Sequence, residues 1–136
     1  MEELFVPYAL ALKLNKYFDE KTFRVYDLQG YFQDETVMES MELTAVKAPT
    51  YAQVIDWFRL KYDQHIVIAP YYNPLFTETL YYDVAIANRD NSYEGLITNA
   101  IDRMGEKWIK NPNKYHLYED YYVGLNAIIN EALELI

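Results

Sequence analysis

Apolar and polar positions along this chain repeat with two periods, 3.6 and 2 residues, and the switches between them mark out the elements. From about Pro7 to Phe18, Leu10, Ala11, Leu14, Tyr17 and Phe18 share one side of a helix, with Lys13 and Lys16 off it. Proline suits a first helical turn, where its missing N–H would be unpaired anyway. Phe23-Arg24-Val25-Tyr26 then alternates as a strand, Asp27-Leu28-Gln29-Gly30 predicts a turn, and Tyr31-Phe32 returns as the second strand of a hairpin. Residues 33–47 keep neither period, because Met38, Met41 and Leu43 are scattered among Glu35, Glu39 and Glu42.

A second helix is signalled more sharply. Thr50 and Gln53 have the spacing of a capping box, in which each side chain bonds the other residue's backbone N–H. At 100° per residue Tyr51, Val54, Ile55, Phe58 and Tyr62 form one apolar face, Leu60 falls opposite it, and Trp57 lies on the flank. His65 to Ala69 follows as a short apolar strand. Pro70 to Thr79 reads as a loop with Asn73-Pro74 as its turn signal. Leu80 to Ala87 alternates Leu80, Tyr82, Val84 and Ile86 against Tyr81, Asp83, Ala85 and Ala87, the pattern of a half-buried antiparallel strand.

Ser92 predicts the cap of a further helix carrying Ile97, Ala100, Ile101, Met104 and Trp108, weakened by Gly105 and ended by Asn111-Pro112-Asn113. The last helix, from about Glu119 to Leu135, carries Tyr121, Tyr122, Leu125, Ile128, Ile129, Ala132, Leu133 and Ile136 on one face. Glu119 and Asp120 favour the positive end of its dipole, and Gly124 sits where a neighbour can approach closely. The elements together predict an α+β fold, a small, mostly antiparallel sheet packed against three or four helices. The 136 residues are read as one domain, with a helical insertion at about 92–114.

Composition narrows the chemistry. With no cysteine, disulfides, thiolate metal sites and cysteine nucleophiles are excluded. A net charge of −9 disfavours direct nucleic-acid binding, which needs Lys and Arg along a phosphate backbone. The acids are spread out and interleaved with bases, so a solvated acidic surface is favoured over nucleic-acid mimicry. The apolar run Leu4 to Leu12 follows Glu2 and Glu3 instead of a basic region, and no stretch approaches the roughly 20 apolar residues of a membrane span. A cytoplasmic protein without membrane contact is expected.

The run Ala48-Pro49-Thr50-Tyr51, the motif Val54-Ile55-Asp56-Trp57-Phe58-Arg59, and Lys61-Tyr62 with Ile66-Val67-Ile68 resemble a family of short uncharacterised proteins of Bacteroidetes, their phages and prophages. Val6-Pro7-Tyr8 through Lys13-Leu14 is similar to the opening helix of that family. Tyr118-Glu119 through Glu131-Ala132-Leu133-Glu134-Leu135-Ile136 is similar to its closing one. The similarity touches about half the residues, and the segment from Ser92 to Lys114 is longer than the family pattern. The resemblance implies a phage or mobile-element accessory protein in a host cytoplasm, and carries no activity or catalytic residue with it.

Candidate chemistry is sparse. His65 and His116 have no ligand-spaced partner and read as structural. Asp34, Glu35, Glu39 and Glu42, and the pair Glu119-Asp120, read as solvated faces or caps before a general acid or a metal site. The four glycines are isolated, so there is no phosphate loop, and Ser40 and Ser92 lack a nucleophile elbow. Arg59, Lys61 and Arg89 lie beside aromatics but form no basic groove. No catalytic, cofactor-binding or metal-binding residue and no cofactor is assigned.

The outlier is tyrosine, fifteen residues in all. Tyrosine is rigid and amphipathic, and is enriched in strands and at protein interfaces. If they lie on strands, the pairs Tyr71-Tyr72, Tyr81-Tyr82 and Tyr121-Tyr122 would send one ring to each face. The sequence therefore points to a non-enzymatic module that binds a protein partner or a second copy of itself, with Trp57, Leu60, Tyr71, Tyr72 and Tyr81 as the candidate surface. A small-molecule or nucleotide binder walled by the loop from Tyr71 to Thr79 and the inserted helix is the alternative, an acidic nucleic-acid mimic the third, and an enzyme is less favoured.

Overall fold

A computed structural model describes residues 2–34, 45–72, 74–75, 78–87 and 117–136. The expected helical insertion at about 92–114, His116 and the aperiodic stretch 35–44 lie outside the described residues. The chain divides into two compact units, Met1–Trp57 and Phe58–Ile136, with the division inside one helix. The fold is α+β, with three α-helices and two small antiparallel sheets among the described residues.

In the first unit a short 3-10 turn at Glu2–Leu4 leads to α1, Tyr8–Leu14. Pro7 is extended and caps α1, so the helix starts one residue later than its sequence suggests. Leu10, Ala11, Leu14 and Phe18 are buried as the periodicity requires, whereas Tyr17 is exposed because the chain leaves the helix at Leu14. The hairpin forms from β1, Arg24–Tyr26, and β2, Phe32–Asp34, in the register Arg24↔Asp34 to Tyr26↔Phe32. Its turn is organised by one carboxylate: Asp27 Oδ1 accepts the N–H groups of Gln29 and Tyr31 at 3.0 and 2.9 Å. Gly30 has φ +87°, and a Cβ there would lie 3.0 Å from the Tyr8 ring, so the position needs glycine on two counts.

β3, Val46–Lys47, completes the sheet in the order β2-β1-β3. Tyr26 anchors it: the hydroxyl donates to Val6 O at 2.6 Å, and its ring packs at tilted angles against Tyr8 and Phe32.

Helix α2, Tyr51–Tyr62, carries the expected capping box. Gln53 N–H donates to Thr50 Oγ1 at 3.1 Å, and Thr50 N–H to Gln53 Oε1 at 2.9 Å. Its buried residues are Tyr51, Val54, Trp57 and Phe58, while Ile55 and Tyr62 are half-buried. The apolar face is thus rotated roughly 40–50° towards Trp57 from the centre that simple periodicity gives.

In the second unit, Asp63 takes a left-handed conformation (φ +53°) and turns the chain out of α2, while Gln64 N–H returns to Phe58 O at 3.1 Å. β4, His65–Tyr71, then pairs along its whole length with β5, Tyr81–Ala87, from His65↔Ala87 to Tyr71↔Tyr81. β6, Leu117–Tyr118, lies on the other side of β5, giving the order β4-β5-β6.

β5 lies between β4 and β6, and residues from both its faces, Asp83, Val84, Ala85 and Ala87, are buried. The expected half-buried alternation is corrected to that extent. Helix α3, Tyr121–Glu134, begins at Asp120, whose carboxylate accepts the N–H groups of Tyr122 and Val123 at 2.8 and 3.0 Å. It buries Gly124, Leu125, Ile128, Ile129 and Ala132, on the face the sequence picks out. Gly124 meets Val84 and Tyr118 so closely that an added Cβ would lie 3.3 and 3.4 Å from them.

Candidate functional site

The register of the second sheet gathers tyrosines at one end. β4 finishes and β5 begins there, so Tyr71 faces Tyr81 across the ladder and Tyr82 faces Tyr118. The start of α3 adds Tyr121, whose ring stands edge-on to Tyr82 at 5.4 Å and to Tyr122 at 5.2 Å. Edge-to-face pairs of this kind favour one arrangement of rings beyond the area they bury. On the face bearing Tyr71 and Tyr81, both rings pack against buried Leu117.

This end also carries exposed apolar side chains. Tyr72 is 54 % exposed, Leu75 84 % and Leu80 44 %, all on the connection between β4 and β5. Tyr121 and Val123 on the first turn of α3 are exposed as well. Rigid, mostly half-buried rings on both faces of this end, edged by open apolar residues, have the composition expected of an interface.

Burial holds the Tyr118 phenol above the usual tyrosine range, and the negative charge of Glu131 on α3 adds to the effect. A raised tyrosine pKa favours the neutral form in the fold. Its contribution to stability is therefore complete below the unfolded pKa near 10 and is lost as pH rises through the folded value. Replacing Glu131 with glutamine is expected to shift Tyr118 ionisation part of the way back, leaving the larger burial effect. Ultraviolet phenolate titration of E131Q beside the parent chain measures this.

The five residues singled out from sequence fall in three places. Tyr71, Tyr72 and Tyr81 come together at the tyrosine end, Tyr71 and Tyr81 half-buried and Tyr72 open. Trp57 is only 2 % exposed: its indole N–H donates to Asp19 Oδ1 at 2.9 Å and its ring packs on Phe18 at 5.4 Å. That burial removes Trp57 from the candidate surface, because a large ring beside the apolar face lowers the free energy most by turning inward. Leu60 is 71 % exposed, between exposed Arg59 and Lys61 on α2. A single apolar residue among charges is ordinary surface.

Tyr82, Tyr118, Tyr121, Leu75 and Leu80 join the site through tertiary structure. The doubled tyrosines at 81–82 and 121–122 were the available signal, but their meeting depends on strand register and on where α3 lands. Tyr81 and Tyr82 do point to opposite faces, and both are half-buried.

The polar groups near chemistry-bearing positions have local structural duties. His65 Nε2 lies 3.0 Å from Asp63 Oδ1, at the far end of β4 from the tyrosines. Asp27 and Asp120 hold backbone N–H groups. Among the described residues no three His, Asp or Glu side chains group as metal ligands, and no helix is long and apolar enough to cross a membrane. A scan against protein-family models, a search of curated proteins and a search of solved structures each find no match to this chain.

Proposed function

We propose that this chain is a non-enzymatic protein-interaction module whose contact surface is the tyrosine-rich end of the second sheet. The observation that carries the reading is that one end of the sheet bears Tyr71 and Tyr81 on one face and Tyr82 with Tyr121 on the other, with open Tyr72, Leu75 and Leu80 on the adjoining connection. Tyrosine supplies large contact area at low entropic cost because it has few rotatable bonds and a hydroxyl that stays satisfied at a wet rim. Of the candidate pair Glu119-Asp120, Asp120 caps α3 through its carboxylate, and Glu35, Glu39 and Glu42 lie outside the described residues. A phage or mobile-element setting belongs to the same proposal and rests on the resemblance of Ala48–Tyr62.

The reading is tested by the size of the native complex. Tagged protein in an extract of its own host should sediment as a species heavier than any oligomer of the purified chain. The double variant Tyr72→Ser, Leu75→Ser should sediment as the purified chain does, with its circular dichroism unchanged. Identical sedimentation of variant and parent in the extract would overturn the reading.

A further inference from the structure

Charge is unevenly divided along the chain. Residues 66–88 and 117–136, which supply β5, β6, α3 and all of β4 after His65, contain Glu78, Asp83, Glu119, Asp120, Glu131 and Glu134 and no Lys, Arg or His. The tyrosines and open apolar residues of the contact surface all come from these two stretches. Three of the carboxylates are exposed at that same end: Glu78 shortly before β5, Glu119 directly after β6, and Asp120 at the cap of α3.

These carboxylates are interleaved with the open apolar residues. Along the chain, Glu78 lies between exposed Leu75 and Leu80, and Glu119 and Asp120 lie between half-buried Tyr118 and exposed Tyr121. A partner that covers Tyr72, Leu75 and Leu80 therefore draws carboxylates out of water as well. That costs free energy unless the partner returns charge-assisted hydrogen bonds. An acidic partner would add repulsion from a chain at −9, and an uncharged one would leave the desolvation uncompensated.

We propose, resting on the contact surface described above, that its partner is a protein presenting a basic segment, with arginine as the contacting side chain. The face of a tyrosine ring attracts a cation, and Tyr72 and Tyr121 are exposed rings at this end. A guanidinium group is planar and weakly hydrated, so it stacks on a ring while donating two N–H bonds to one carboxylate. The ammonium of lysine is compact and strongly hydrated, and gains less from either contact. The aliphatic stem of the same arginine covers Leu75 or Leu80.

The field of the whole chain draws in any basic peptide. Local recognition is separated from it by matched pairs of substitutions. Glu78→Gln with Glu119→Gln neutralises two carboxylates at the tyrosine end. Glu20→Gln with Glu134→Gln removes the same charge from two exposed carboxylates elsewhere, one in the first unit and one on the last turn of α3. Recognition by this end requires that the first pair matter and the second not.

The test is fluorescence anisotropy of short labelled peptides, in which Arg, Lys or Glu alternates with Ser, against the purified full chain. The arginine peptide should bind, the lysine peptide more weakly, and the glutamate peptide not at all. Glu78→Gln with Glu119→Gln, and separately Tyr72→Leu, should each weaken arginine-peptide binding by about fivefold with circular dichroism unchanged. Glu20→Gln with Glu134→Gln should leave it within about twofold. Equal weakening by the two charge pairs would overturn the proposal. So would a lysine peptide that binds as tightly as the arginine one, or an arginine peptide that does not bind. Sedimentation of the tagged chain in extract separates this inference from the reading beneath it. A complex lost in Tyr72→Ser, Leu75→Ser but kept in Glu78→Gln, Glu119→Gln would overturn the basic partner and leave the contact surface standing. A complex kept in both would overturn the contact surface, and the basic partner with it.

Discussion

Replacing Trp57 with alanine is expected to destabilise the fold by about 3–5 kcal/mol, the range for deleting a large buried aromatic side chain. The indole is 2 % exposed, lies against Phe18, and holds Asp19 through its N–H. The lost ring leaves a cavity and takes away a donor that the Asp19 carboxylate now accepts from. Phenylalanine keeps much of the packing and should cost about 1–2 kcal/mol, most of it the hydrogen bond and the lost volume. Leucine 60, three residues on but 71 % exposed, should tolerate alanine within about 0.5 kcal/mol. Urea unfolding of the three variants checks the set. A Trp57→Ala loss no larger than that of Leu60→Ala would put Trp57 back on a surface.

Replacing Gly124 with leucine is the second large effect, expected at about 1–3 kcal/mol or more. The helix α3 backbone can approach β5 and β6 only because nothing stands between it and Val84 Cγ1 or Tyr118 Cδ2, which a Cβ would meet at 3.3 and 3.4 Å. A branched side chain has nowhere to go without lifting α3 from the sheet. Alanine is the informative control. Its methyl fits with a shift of a few tenths of an ångström, and the helix gains about 1 kcal/mol in propensity over glycine. The net change for G124A should therefore stay within about 1 kcal/mol of zero. Thermal unfolding of both variants measures it, and an unchanged midpoint for G124L would show that α3 does not sit this close.

The contrast between Trp57 and Gly124 shows what a one-dimensional pattern can carry. Gly124, the Thr50–Gln53 box, the Asp27–Gly30 turn and the α3 face are local or strictly periodic, so spacing alone foretold them. Trp57 required knowing which way α2 rolls. That is decided by the partners available to a large ring, Phe18 and Asp19, nearly forty residues earlier in the chain.

The candidate surface divides in the same way. Doubled tyrosines are visible in the sequence, and alternation sends Tyr81 and Tyr82 to opposite faces. What alternation leaves open is that Tyr71 faces Tyr81, that Tyr118 faces Tyr82, and that Tyr121 closes on Tyr82 from a helix. Strand register and the landing of α3 are non-local choices, set by how each chain segment buries its apolar face. The same non-local logic placed β5 between β4 and β6. Pro70 is the reverse case: it reads as the start of a loop, yet Pro70 and Tyr71 continue β4 in its ladder with β5.

Site-specific photo-crosslinking in the native cell most directly tests the claim that the tyrosine end is a recognition surface. A photoreactive phenylalanine analogue placed at Tyr72 or Leu75 should capture another polypeptide. The same analogue at Leu60, equally open but isolated among charges, should capture none. Capture at Leu60 with none at Tyr72 or Leu75 would contradict the account.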